Sequence, residues 1–191
     1  MKTTLYVIVD ISGSMNEMGK IHLQRNLCRY SSQLKTIDQE KYANIEIHFF
    51  QWATTISEII IQSNGDIPLL IAEGTSDLDH LFDFLSAALN RDQTLRVLIF
   101  SDGNFEKFSD VLAFQKKLST IPNLILKTIA VGADADLQKL KKISSGNNVF
   151  LAENIASAID SILFGMNKCI VVAPEYLNQI KISQSLHSKD Y

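Results

Sequence analysis

The residues most suited to binding a ligand come directly after the first apolar run of the chain, residues 5–9. Asp10, Ser12 and Ser14 stand there at alternate positions. One carboxylate and two hydroxyls offer only oxygen ligands, which hard cations such as Mg²⁺ or Mn²⁺ prefer. The same residues also fit a capped turn that leads into a helix, because Asp and Ser are good cap residues.

Two further oxygen ligands follow later in the chain. Thr75 stands just before a segment of helical periodicity, and Asp102 comes directly after the most apolar run, residues 95–100. The carboxyl ends of parallel strands meet at one edge of a sheet, where ligands gather. We therefore expect Thr75 and Asp102 to lie at the same edge as Asp10, Ser12 and Ser14, where their oxygens are candidate ligands of one metal ion. Ser76 is an alternative to Thr75, since either hydroxyl also suits the start of a helix.

Short β-rich runs alternate with longer amphipathic runs, which indicates an α/β fold. The pattern predicts strands over residues 5–9, 45–49, 54–61, 95–100, 124–131 and 148–151. It predicts helices over residues 20–36, 77–89, 108–118, 136–143 and 155–166. Only residues 50–53 separate the second and third strands, so we expect a hairpin there. The prediction is a three-layer, doubly wound, mostly parallel sheet with one antiparallel edge strand.

Trp52 falls in the hairpin turn, either as an exposed aromatic anchor or as a half-buried packing residue.

Composition bounds the function. The chain has 191 residues, of which 46% are hydrophobic, and a net charge of −3. This balance argues against nucleic acid as the main ligand, because phosphate binding needs a clustered basic face. Neither a membrane-spanning run nor a signal peptide is evident, so we expect a cytoplasmic protein. Cys28 and Cys169 are expected to be reduced thiols. We predict one domain over residues 1–168 and a C-terminal extension over residues 169–191, docked or partly flexible.

The motifs together resemble a known family. The Asp-x-Ser-x-Ser loop at residues 10–14, the later Gly74-Thr75 and the Asp102-Gly103 pair are similar to the metal-ion-dependent adhesion site (MIDAS) of von Willebrand factor A domains. The element pattern resembles that Rossmann-like fold over roughly residues 3–167. The resemblance implies that Ser12 and Ser14 bind Mg²⁺ or Mn²⁺ directly, and that Thr75 binds it directly or through water. Asp10 and Asp102 would hold coordinated waters, which leaves one position open for an Asp or Glu of a partner protein.

Within that family, the chain resembles bacterial members associated with tellurite resistance and stress-response operons. The resemblance implies a metal-dependent protein-binding module in a bacterial stress or metal-resistance complex, and not an enzyme. The alternative is a Mg²⁺-dependent phosphatase of the haloacid-dehalogenase type with Asp10 as nucleophile. That class has a second acidic residue two positions after the nucleophile, and here Ser12 stands at that position. Glu73 departs from the family pattern and is not expected to be a ligand. Asp77 is not expected to be one either, because an acidic residue is favoured in the first turn of a helix.

Overall fold

The computed structural model of the protein describes residues 2–89, 94–105 and 107–165. The extension predicted over residues 169–191, with Cys169, lies outside the described residues. Its docking and the division of the chain at residue 168 therefore stay predictions.

A six-stranded sheet forms the middle layer of the fold. Numbered along the chain, its strands are β1 (Thr3–Asp10), β2 (Ile45–Trp52), β3 (Ile56–Glu58), β4 (Leu95–Ser101), β5 (Leu124–Ala130) and β6 (Val149–Leu151). Their order across the sheet is β3-β2-β1-β4-β5-β6. Every neighbouring pair is parallel except β2 and β3, which are antiparallel. The predicted fold class, with its one antiparallel edge strand, is confirmed.

Helices cover both faces of this sheet. They are α1 (Lys20–Ser32), α2 (Leu34–Ile37), α3 (Gln39–Tyr42), α4 (Leu78–Leu89), α5 (Phe108–Leu118), α6 (Leu137–Ile143) and α7 (Ile155–Phe164). Buried side chains of α1 and α7 share one apolar cluster, and those of α4, α5 and α6 share the other. Val7 and Val9 of β1 enter the first cluster and Ile8 enters the second, which explains why successive residues in the middle of this strand are apolar. Among the described residues no helix is long and apolar enough to cross a membrane.

The hairpin between β2 and β3 exists, but Trp52 does not lie in its turn. Trp52 is the last residue of β2, and its side chain is 0% exposed. The indole Nε1 donates to the carbonyl oxygen of Asp77 at 2.9 Å, and the ring packs against Phe105. Both the exposed-anchor and the half-buried interpretations of Trp52 are therefore wrong. Because Trp has a single polar atom, one hydrogen bond is enough to allow its full burial.

The helix predicted over residues 20–36 is interrupted. It ends at Ser32, and the chain continues as the single turns α2 and α3. The Ser31 hydroxyl donates to the Leu27 carbonyl at 2.9 Å, and the Ser32 hydroxyl donates to the Arg29 carbonyl at 2.8 Å. Such hydroxyls compete for backbone acceptors and favour a bend or a helix end. A periodicity count does not register this competition.

The segment of residues 59–77 connects β3 to α4 without a helix or strand. It runs along α1 and returns to the carboxyl ends of the strands. Near its middle, Arg25 and Arg29 of α1 both contact the Asp66 carboxylate. At its far end it meets the loop that follows β1, and this brings residues 73–76 to the predicted site.

Candidate metal centre

Backbone hydrogen bonds join the loop after β1 to the end of the connecting segment. The Gly13 amide donates to the Gly74 carbonyl at 2.9 Å, and the Glu73 amide donates to the Ile11 carbonyl at 2.7 Å. Asp102 follows β4, which is the parallel neighbour of β1. The loops that carry all five predicted residues therefore meet at one edge of the sheet.

Asp10 is the buried centre of this edge. Its carboxylate is 0% exposed and accepts hydrogen bonds from the Ser12 amide (2.9 Å), the Ser101 hydroxyl (2.6 Å) and the Ser76 hydroxyl (3.0 and 3.1 Å). Burial raises the pKa of Asp10 above its usual range, although the bonds from Ser101 and Ser12 oppose that shift. Because both oxygens already have donors, Asp10 is suited to orienting the surrounding hydroxyls.

The hydroxyls of Ser12 and Ser14 point to a common location. Their Oγ atoms are 3.3 Å apart, with Ser12 buried and Ser14 half-buried. Adjacent ligands of an octahedral Mg²⁺ at about 2.1 Å are about 3.0 Å from each other. The separation of these two oxygens is therefore close to that of neighbouring ligands of one small cation.

Thr75 and Ser76 occupy different environments. Thr75 is exposed, in a cleft of about 420 Å³ between α4 and α5, whereas Ser76 is half-buried with its hydroxyl on Asp10. Ser76 thus already belongs to the hydrogen-bonded network, and the metal role of Thr75 stays a prediction. Asp77 Oδ1 accepts from the amides of Asp79 and His80. This agrees with the interpretation of Asp77 as a helix-start acid.

Asp102 is 3% exposed, and its two oxygens have different partners. Oδ1 accepts from the Asn104 amide at 2.9 Å, and Oδ2 accepts from the Lys20 ammonium at 2.8 Å. The Lys20 ammonium also donates to Asp134 at 2.9 Å. Lys20 was not among the residues predicted for this edge, and neither were Ser101, which donates to Asp10, and Asp134.

One sequence signal points to Lys20. It is the first residue of α1, and the positive end of the helix dipole disfavours a cation at that position. A lysine placed there is expected to have an acidic partner elsewhere in the fold. Burial, which by itself lowers the pKa of Lys20, is outweighed by the bonds to Asp102 and Asp134, so the pKa is raised. The Lys20 ammonium in turn lowers the pKa of Asp134.

The donor atoms at this edge fit a hard divalent cation. Within the described residues, no group of three or more His, Cys, Asp or Glu side chains is placed to hold a metal ion. A metal here would be held mainly by neutral hydroxyl oxygens, with Ser12 and Ser14 as direct ligands. Such a set leaves most of the charge of the cation uncompensated.

Comparison with known proteins identifies solved structures that share this fold. No protein-family model and no curated protein matches this sequence. Solved structures do match, among them the SpRpn10 VWA domain, with a TM-score of 0.55 and 9% identity over 83% of this chain and 95% of that chain. Proximal thread matrix protein 1 from the mussel byssus, with a zinc-occupied MIDAS motif, has a TM-score of 0.57 and 12% identity over 84% of this chain.

The manganese-loaded TRAP protein of Plasmodium vivax has a TM-score of 0.53 and 19% identity over 74% of this chain. The chain spans 44% of the mussel protein chain and 62% of the TRAP chain. The chain therefore has the fold of von Willebrand factor A domains. Two of these solved structures contain a divalent metal, zinc in the mussel protein and manganese in the TRAP protein.

Proposed function

We propose that this chain is a divalent-metal-dependent protein-binding module whose metal holds an acidic residue of a partner protein. The observation that carries the proposal is the pair of Ser12 and Ser14 hydroxyls, 3.3 Å apart beside the buried Asp10. Two neutral ligands leave a cation with a strong preference for an incoming carboxylate. When bound, the metal supplies this electrostatic attraction, and the role of the protein is to hold the hydroxyls in place.

The proposed metal is Mg²⁺ or Mn²⁺. The support is the chemistry of the donors, because an all-oxygen set suits these hard cations better than a cation that prefers nitrogen or sulfur. Ser12 and Ser14 are the proposed direct ligands. Thr75 is proposed to bind directly or through water, and Asp10 and Asp102 through coordinated waters, as in a MIDAS.

The setting is also a proposal. We place this module in the cytoplasm of a bacterium, in a stress or metal-resistance complex of the kind associated with tellurite resistance. Its support is the resemblance of the motif loop to that subgroup. The proposed partner is a protein, and neither nucleic acid nor a membrane is proposed.

We also propose that the chain is not an enzyme. Its rival is a phosphatase with Asp10 as nucleophile. A nucleophilic carboxylate needs an oxygen that the substrate can reach, whereas Asp10 is 0% exposed and engaged by Ser12, Ser76 and Ser101. Phosphate release that depends on Mg²⁺ and is lost in Asp10→Asn would overturn this proposal.

Ser14→Ala tests the proposed metal site with little risk to the fold, because this hydroxyl is half-buried and contacts Ser12. We expect Ser14→Ala to weaken Mn²⁺ binding by about tenfold or more in calorimetric titration, since it removes a direct ligand. Retention of an acidic-peptide probe in Mg²⁺ should fall in parallel.

Ser32→Ala is the matched control, because it removes another half-buried hydroxyl at the far end of α1. It should bind Mn²⁺ as the unmodified protein does. Equal Mn²⁺ affinity in the unmodified protein, Ser14→Ala and Ser32→Ala would show that Ser14 is not a metal ligand. A lack of Mn²⁺ binding in all three proteins would contradict the proposed function.

A further inference from the structure

The first residue of α1 places a positive charge on Asp102, one of the residues of the proposed metal site. Lys20 is 2% exposed, and its ammonium lies 2.8 Å from Asp102 Oδ2 and 2.9 Å from Asp134 Oδ2. The side chains of Lys20 and Asp102 are 1% and 3% exposed, so solvent screens this pair little. A metal bound by Ser12 and Ser14 would approach a site that already has a resident cation.

The fold holds Lys20 at this position closely. A Cβ at Gly132 would lie 2.7 Å from Lys20 Cδ and 3.1 Å from Lys20 Cγ, so the side chain occupies space that only glycine leaves free. Gly132 has a φ of +95°, which also favours glycine. Lys20 is therefore a packed part of the site and not a mobile surface lysine.

Lys20 and the proposed metal draw on the same carboxylate. The resemblance implies that Asp102 holds waters coordinated to a metal. In this structure Lys20 and the Asn104 amide donate to the two carboxylate oxygens of Asp102. A lysine ammonium supplies to Asp102 part of what a cation supplies, namely positive charge and hydrogen-bond donors. Two cations at one buried carboxylate repel each other.

We propose that Lys20 is a resident counter-ion of Asp102, which keeps the site assembled without metal and weakens metal binding through charge repulsion. This inference rests on the proposed metal-binding function. In this inference Lys20 sets the metal affinity of the site. It thereby also sets the metal concentration at which a partner protein is bound.

Lys20→Met tests the charge while keeping an apolar side chain of similar length. We expect Lys20→Met to bind Mn²⁺ about tenfold more tightly in calorimetric titration, because removal of the like charge that is paired with Asp102 favours a second cation at that carboxylate by about that factor. In EDTA its midpoint of thermal unfolding should fall below that of the unmodified protein, because Asp102 loses its partner. Saturating Mn²⁺ should restore most of that loss.

Lys41→Met is the matched control. Lys41 also contacts a carboxylate, that of Asp160, but it precedes β2 and so lies at the opposite edge of the sheet. The same change of charge there should leave the Mn²⁺ affinity within about twofold of the unmodified value, since a distant exposed charge is screened. Lys20→Gln is a second variant, which removes the charge but keeps a hydrogen-bond donor for Asp102. It should bind Mn²⁺ more tightly, as Lys20→Met does.

The possible results separate this inference from the proposed function. Mn²⁺ binding that is unchanged in a folded Lys20→Gln or Lys20→Met would overturn the role of Lys20 and leave the proposed function standing. A stability loss in EDTA that Mn²⁺ does not restore would likewise show a purely structural lysine. If the unmodified protein and both variants bind no Mn²⁺, the proposed function and this inference fail together.

Discussion

Single residues at the candidate site are defined by what surrounds them. Asp10 can be buried because amide and hydroxyl donors surround its carboxylate, and a buried charge without such partners is strongly disfavoured. Lys20 is buried for the same reason, through Asp102 and Asp134. Gly132 belongs to this group although it has no side chain, because its missing Cβ makes room for Lys20.

Gly132→Ala should destabilise the protein by about 2 to 4 kcal/mol. The substitution adds backbone strain at a positive φ and a contact of 2.7 Å with Lys20 Cδ. Gly65→Ala is the matched control, since Gly65 has a φ of +80° but its added Cβ would meet no atom within 4 Å. Gly65→Ala should cost about 1 to 2 kcal/mol, from strain alone. Equal losses for both variants in urea unfolding would contradict the crowding at Gly132.

Part of the candidate site is positioned by a connection between two elements, β3 and α4, that has no regular secondary structure. The segment of residues 59–77 has no helix or strand, yet it is held to α1 by Asp66. The Asp66 carboxylate lies 2.5 Å from Arg29 Nε and 2.8 Å from Arg29 Nη2, a two-pronged contact. Arg25 adds a contact to Asp66 and donates to the Ile67 carbonyl. These contacts orient the segment that delivers Ser76 to Asp10.

Asp66→Asn should destabilise the protein at pH 7, and the difference should disappear in acid. The bond from Arg29 lowers the pKa of Asp66 from 3.8 to about 2. Because the folded state has the lower pKa, this stabilisation is present above about pH 4 and is lost as the pH falls towards 2. Urea unfolding of both proteins from pH 7 down to pH 2 measures it.

Asp79→Asn serves as the control for that measurement. Asp79 pairs with Lys117 at 2.7 Å, but its side chain is 77% exposed. Such a surface pair contributes little at any pH, so this variant should differ little from the unmodified protein at either end of the range. A difference in unfolding free energy between the unmodified protein and Asp66→Asn that stays constant from pH 7 to pH 2 would argue against the ion pair.

The whole molecule is organised around a sheet that is buried on both faces. β1 and β4 lie in the middle of it, and Leu98 and Ile99 of β4 are each 0% exposed. Leu98 belongs to the cluster with α1 and α7, and Ile99 to the cluster with α4, α5 and α6. Both layers therefore support the strand ends that carry Asp10 and Asp102.

Leu98→Ala and Ile99→Ala should each destabilise the protein by about 2 to 5 kcal/mol, because each leaves a cavity in a packed core. Urea unfolding of the two variants compares the two faces directly. A loss in only one of them would mean that one face of the sheet is open to solvent, contrary to the three-layer arrangement. Leu112→Ala is the control, since Leu112 is 38% exposed on α5 and should cost much less.

The sequence by itself determined the order of strands and helices and the residues of the edge loops. It could do so because a strand buried on both faces has an almost continuous apolar run, and because Asp10 and Asp102 come directly after such runs. Only the tertiary structure decided that Trp52 is buried, that Ser76 contacts Asp10 and that Lys20 binds Asp102. Each of these contacts joins residues at least 25 positions apart, as from Lys20 to Asp102 across 82 positions, and no local pattern encodes such a pairing.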